Sequence, residues 1–336
     1  MITLGIETSC DETAVAIVED GYAVRANLIA AQAHLHERFG GVVPEVAARA
    51  HVEALNPLLE DALLAGGLSG FGDVDGVAVT VGPGLVGALL VGMAAAKAVS
   101  LATGAPLIGV NHLEGHVWAN FLVHGRPDPP YIALIVSGGH TMIVHIPQMH
   151  RHEVLGQTLD DAAGEAFDKV ARLLGLGFPG GPLLDRLARD GDPDAIRFPR
   201  AMEDSGDLDF SMSGLKTAVL RHVKAERAAG HEIDAADLAA SFQEAIVDVQ
   251  VSKTLRAATE RGVGTVLLGG GVVANTRLRE RMEADGAAAG IHVLFPPLDL
   301  CTDNAAMIAC VGAARLARGE RTSFDIGADP NLRLAS

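Results

Sequence analysis

The chain of 336 residues is longer than one hydrophobic core usually serves, so two domains are expected, and 49% apolar content is ample to build them. With 42 acidic against 26 basic side chains, a net charge of -16, a generic nucleic-acid-coating surface is excluded, although a local basic patch for one RNA is not. Aromatic residues are only 4%, and the three cysteines (Cys10, Cys301, Cys310) form no CxxC pair, which argues against a β-sandwich, a disulfide framework and a zinc knuckle.

The first predicted element is a short apolar strand, Ile2 to Ile6. The polar turn ETSCDET and a second apolar run, Ala14 to Val18, complete a β-hairpin. Asp11 and Glu12 in this turn read either as an ordinary acidic turn or as carboxylates placed for chemistry. MITLGIETS lacks a basic stretch followed by a long apolar one, and the longest apolar runs are broken by Gly, Lys or Asp. No membrane span is expected, and a reducing cytoplasm is the expected compartment.

DGVAVTVGPGLVGALLVGMAAAKAV then reads as strand, Gly-rich loop and long helix. Strand Leu107 to Val110 leads into Asn111-His112-Leu113-Glu114-Gly115-His116, where His112 and His116 stand at i and i+4 on one helical face. That spacing lets two imidazoles share a metal ion, and the end of a strand is where α/β sites collect. The segment from His124 to Pro130, with Gly125, Pro127, Pro129 and Pro130, is the expected linker.

Past the linker the pattern returns. Tyr131 to Val136, the turn SGGHT and Met142 to Ile146 form a second hairpin; GTVLLGGGVVANTRLRERM is a second strand, Gly loop and helix. Two different units repeat in the same order, which indicates duplication of a whole domain. The expected fold is therefore a duplicated actin-like α/β fold, as in actin, hexokinase and the heat-shock chaperone ATPases, with nucleotide between the two lobes. The expected domains are residues 1–128, joined by a C-terminal helix within 304–336, and residues 129–303.

In the second half, Ile135, Val136, Ser137, Gly138 and Gly139 allow backbone N–H groups and a hydroxyl to approach a phosphate. Glu165, Asp168 and Lys169 share one helix face, and Pro179-Gly180-Gly181-Pro182 with Asp185 forms a rigid turn into a helix. Residues 189–213 read as irregular. Asn275 reads as a helix cap, a sugar ligand, or both. Asp303 reads either as the N-cap of the last helix, about Asn304 to Arg318, or as a third metal ligand; Cys301 ranks below it. A His₂Asp set suits zinc and ferrous iron alike.

ETSCDET, NHLEGH, VSGGHT, AGEAFDK with FPGGP, FSMSGLKT, GGGVVAN and CTDNAAM occur in this order between Ile2 and about Asp325. By these motifs the chain resembles the bacterial tRNA N6-adenosine threonylcarbamoyltransferase family. The resemblance implies transfer of the threonylcarbamoyl group from threonylcarbamoyl-AMP to N6 of adenosine 37 in tRNAs reading codons that begin with A. It implies His112, His116 and Asp303 as ligands of one divalent metal, usually iron. It also implies Ile135 to Gly139, Asp168, Gly181, Asp185 and Asn275 as the adenylate-binding set. Expected partners are tRNA, an inactive paralogue forming a heterodimer, and a small P-loop ATPase. Asp11 or Glu12 would take up the proton, and Arg277, Arg279 and Arg281, or Arg221, Lys224 and Arg227, would meet the RNA.

Three rivals are weaker. A HExxH protease places its base directly after the first His, and here that position is Leu113. A small-molecule kinase has no use for the His pair, and a non-catalytic scaffold would lack the motifs.

Overall fold

The computed structural model describes residues 1–334, which divide into two compact units: Met1–Pro127 with Pro296–Leu334, and Asp128–Phe295.

In the first unit β1 (Ile2–Glu7), β2 (Glu12–Glu19) and β3 (Ala23–Ala31) form an antiparallel meander. The short helix α1 (Ala33–His36) and the long α2 (Pro44–Ala65) follow. β4 (Gly76–Gly82), α3 (Val86–Thr103), β5 (Leu107–Asn111), α4 (His112–Trp118) and α5 (Phe121–His124) complete this stretch. β1, β4 and β5 run parallel, giving a sheet ordered β3-β2-β1-β4-β5. Val15 and Ile17 point to one face of the sheet, with Leu55, Leu59, Met93 and Ala96 of α2 and α3 in the same core. Ala14, Ala16 and Val18 point to the other. Burial on both faces explains why these strands are continuously apolar rather than alternating. α3 is long and apolar enough to cross a membrane by length and composition, but Ala88, Leu89, Met93 and Ala96 bury one face of it inside this unit.

The second unit repeats the scheme. β6 (Tyr131–Val136), β7 (Thr141–Gln148) and β8 (Arg151–Gln157) form the meander, followed by α6 (Ala163–Leu173), α7 (Gly180–Ala188), α8 (Ser213–Ala229) and α9 (Ala235–Arg261). β9 (Thr265–Gly269), α10 (Thr276–Ala288) and β10 (His292–Leu294) then complete a sheet ordered β10-β9-β6-β7-β8. Read from its meander edge, this is the order of the first sheet. α9 packs on β6 and β9, with Phe242 edge-on to Phe167 of α6, ring centroids 5.4 Å apart.

The chain then re-enters the first unit as α11 (Leu298–Cys301) and α12 (Ala305–Ala317). The C-terminal helix expected within 304–336 stops at Ala317: Arg318 caps it, Gly319 turns at φ +84°, and 318–334 has no further helix. Residues 335 and 336 lie outside the described residues. α12 lies directly on β1, because a Cβ at Gly5 would fall 2.3 Å from the carbonyl oxygen of Ala305. Only glycine permits that approach.

Candidate metal centre

Three parallel strands of the first unit deliver polar side chains at their C-terminal ends: Glu7 ends β1, Thr80 lies near the end of β4, and Asn111 ends β5. Asn111 caps α4, its Oδ1 accepting the N–H of Leu113 at 2.9 Å, and so starts the helix at His112. Gly115 on α4 faces α12 so closely that a Cβ would lie 2.9 Å from Ile308 Cδ1 and 3.2 Å from Met307 Cγ. The pair of glycine contacts, Gly5 and Gly115, brings the start of α12 beside α4.

Asp303 arrives there without the task of capping. Asn304 is the N-cap of α12, its Oδ1 accepting the N–H of Met307 at 3.0 Å, so the capping role weighed for Asp303 belongs to its neighbour. His112 Nε2 and His116 Nε2 are 3.2 Å apart, and Asp303 Oδ1 lies 3.5 Å from the first and 3.2 Å from the second. Three atoms at these separations share a centre about 1.9 Å from each, against metal–nitrogen and metal–oxygen bonds of roughly 2.0–2.2 Å. Both imidazoles are buried. The donor set fits one divalent cation, zinc or ferrous iron. Cys301, ranked lower from sequence, turns its Sγ toward the carbonyls of Pro296 and Pro297.

Behind the ligands stands Glu7, fully buried, the first residue of the ETSCDET turn, to which the sequence reading gave no role. It faces His112 Nδ1 at 3.1 Å and accepts from Thr80 and from the Ser9 N–H. Burial works against charge on the His112 ring, but Asp303 and Glu7 outweigh it and raise its pKa to about 9. Burial, and then Asp303, Asp11 and Glu7, push the Glu12 carboxyl well above the usual range. Electrostatically, the ETSCDET turn and the His pair are one neighbourhood.

In the second unit, the loops after the parallel strands β6 and β9 come together, since a Cβ at Gly270 would collide with the carbonyl oxygen of Val136 at 2.3 Å. Beyond the Ile135–Val136 strand end, Ser137 closes its turn: its N–H donates to His140 O at 2.8 Å, and its own carbonyl accepts from Gly164 at the start of α6. A side chain at Gly138, Gly139 or Gly181 would meet nothing within 4 Å, so space is open beside all three. Asp168 accepts the N–H of Gly180 at 2.7 Å, pinning α7 to α6. Of the expected helix face Glu165, Asp168 and Lys169, Lys169 pairs with Glu165 and also with Asp161. Asp185 accepts Thr276 N and Oγ1 at 3.1 and 3.0 Å, and Asn275 both caps α10 and donates to Gln243 Oε1 at 2.6 Å. Asp185, Gln243, Thr276 and Arg277 line a cavity of about 370 Å³. Gln243 and Thr276 were not legible as site residues; a Gln inside a buried helix is the only trace.

Arg277, Arg279 and Arg281, expected as one of two basic clusters, already have partners within the chain. Arg277 and Arg281 are tied to Glu244, and Arg281 also to Asp248 and Asp285, while Arg279 donates to Val273 O and stacks over Phe295. Arg221, Lys224 and Arg227 of α8 are exposed.

Residues 23–310 match the family model described as tRNA N6-adenosine threonylcarbamoyltransferase. A protein of that name from Moorella thermoacetica is 54% identical over 331 residues, covering 98% of this chain and 96% of its own. Among solved structures, the Acidaminococcus fermentans (R)-2-hydroxyglutaryl-CoA dehydratase component A superposes with a TM-score of 0.57 at 16% identity, covering 94% of this chain and 99% of its own. The ROK hexokinase of Thermus thermophilus does so with a TM-score of 0.50 at 15% identity, covering 95% and 100%. These two likenesses establish the duplicated actin-like α/β fold and nothing further.

Proposed function

The chain belongs to the tRNA N6-adenosine threonylcarbamoyltransferase family, and from that premise we propose the substrate, the position and the roles of the residues described above. It is a transferase. The donor is threonylcarbamoyl-AMP and the acceptor N6 of adenosine 37 in tRNAs reading codons that begin with A. The observation that carries this reading is the convergence of His112, His116 and Asp303 in a chain of this family.

In the reaction the N6 amine attacks the carbamoyl carbon, the bond from that carbon to the phosphate oxygen breaks, AMP leaves and the N6 proton is taken up. The mixed anhydride is already activated, so the protein chiefly positions it and meets developing charge. A divalent ion held by His112, His116 and Asp303, ferrous iron first and zinc second, would supply Lewis-acid polarisation of the carbonyl and phosphate oxygens. Glu12 takes the proton: burial, and then the nearby Asp303, raise its pKa and make it a stronger base than an ordinary glutamate, and Asp11 adds to the charge that raises it. The open backbone at Gly138, Gly139 and Gly181 admits the adenylate. Asp168, Asp185 and Asn275 fix the elements around it, Asp185 and Asn275 beside the polar cavity.

For tRNA, the exposed row Arg221, Lys224 and Arg227 supports contact through α8, with further positive surface from partners. An inactive paralogue forms a heterodimer with the chain and a small P-loop ATPase joins them in the cytoplasm. The exposed apolar side chains Val86, Leu90 and Leu101 on α3 support a protein partner there. Incubating the chain and its partners with unmodified tRNA and threonylcarbamoyl-AMP should yield threonylcarbamoyladenosine by nucleoside mass spectrometry. No product, with every component folded, would refute the assignment.

A further inference from the structure

The two histidines of the centre are held differently. His116 Nδ1 is buried with no hydrogen-bond partner. His112 Nδ1 faces Glu7 Oε2 at 3.1 Å and Ser9 Oγ at 3.2 Å. Glu7 in turn is immobilised from two further sides: Thr80 Oγ1 donates to Oε2 from β4, and the Ser9 N–H donates to Oε1. A carboxylate buried this deeply is costly unless its oxygens are matched by donors, and here each oxygen has one.

We propose that Glu7 is a positioning residue for the metal centre: by accepting the Nδ1–H of His112 it fixes the imidazole tautomer whose Nε2 lone pair faces His116 and Asp303. The inference rests on the metal reading of His112, His116 and Asp303. A metal-ligating imidazole has given up one of its two ring protons and carries one N–H, and an ionised carboxylate can only accept. Facing Glu7, that proton belongs on Nδ1, which leaves Nε2 free to ligate. Outer carboxylates of this kind orient a ligating ring and raise its basicity. His112 is thus the anchored ligand, whereas among the described residues none hydrogen-bonds to His116 Nδ1.

An amide cannot replace this carboxylate. In Glu7→Gln, an NH₂ turned to Ser9 meets another donor. Turned to His112, it demands a lone pair at Nδ1 and drives the proton to Nε2, where it blocks ligation. Zinc affinity of the full chain, measured by competition with a chromophoric chelator, should fall 10–100-fold in Glu7→Gln, the usual range for an outer-shell partner. Thr80→Val, which keeps the carboxylate and removes one donor to it, should lose less. NMR of isotope-labelled histidine in the zinc-loaded wild type should show the His112 proton on Nδ1, a result independent of whether Glu7→Gln folds. Unchanged zinc affinity in a folded Glu7→Gln variant, or a His112 proton found on Nε2, would overturn the role of Glu7. Failure of the wild type to bind zinc or ferrous iron at all would instead remove the metal reading on which it stands.

Discussion

At the scale of single residues, Asp303 and Asn304 divide two jobs that the sequence could not separate, because either side chain can cap a helix. Asp303→Ala should abolish metal binding and, compared in the metal-free proteins, lower stability less than loss of the cap does. Asn304→Ala removes the N-cap of α12 and should cost about 1 kcal/mol in a denaturation experiment. Equal destabilisation by both substitutions would contradict the division. Glu12 gives a pH prediction. Burial and then Asp303 raise its pKa above the ordinary 4.5, and a base must be ionised to accept a proton. Transfer should therefore fall as pH drops through that raised value. Glu12→Gln should abolish this acid limb and slow transfer by roughly 10²–10⁴-fold. A limb that persists in Glu12→Gln would assign it elsewhere. The His pair was legible because i and i+4 spacing is a local rule. Glu7 and Thr80 were not, because their nearness to His112 is made by strands far apart in the chain.

At the scale of elements, the site depends on helix α12 lying on β1 and against α4. Gly5→Ala would force the Ala305 carbonyl away and move the first turn of α12, which follows Asp303. It should destabilise the protein by about 1–3 kcal/mol and weaken metal binding in the same variant. Gly115→Ala meets side-chain atoms of Ile308 and Met307 rather than backbone and should be milder. A Gly5→Ala protein with wild-type stability would show that the close packing is not required. Hairpins and strand–loop–helix units were legible from apolar runs and Gly-rich turns. The third strands β3 and β8 were not: each is an edge strand with a largely exposed face, so neither continuous apolarity nor strict alternation marks it. The last helix, expected from about Asn304 to Arg318, runs from Ala305 to Ala317, and Gly319 turns the chain just after it.

At the scale of the whole molecule, a net charge of -16 and the pairing of Arg277 and Arg281 with acids leave little positive surface for an RNA. The chain alone should bind tRNA weakly and with a shallow salt dependence, since few phosphate contacts release few counterions. Leu90→Asp on α3 changes a side chain that is 53% exposed. It should leave the fold intact and separate the chain from the paralogue proposed as its partner on size-exclusion chromatography, and an undisturbed complex would place the contact elsewhere. Duplication was legible in the sequence because two unlike units recur in one order, and the sheet orders repeat it. The central claim is that a metal held by His112, His116 and Asp303 serves threonylcarbamoyl transfer. Its most direct test measures metal content and threonylcarbamoyladenosine formation side by side in the wild type and in a His112→Ala, His116→Ala double variant. The account predicts one metal ion and modified tRNA for the wild type, and neither for the folded double variant. A metal-free double variant that still modifies tRNA at the wild-type rate would contradict it.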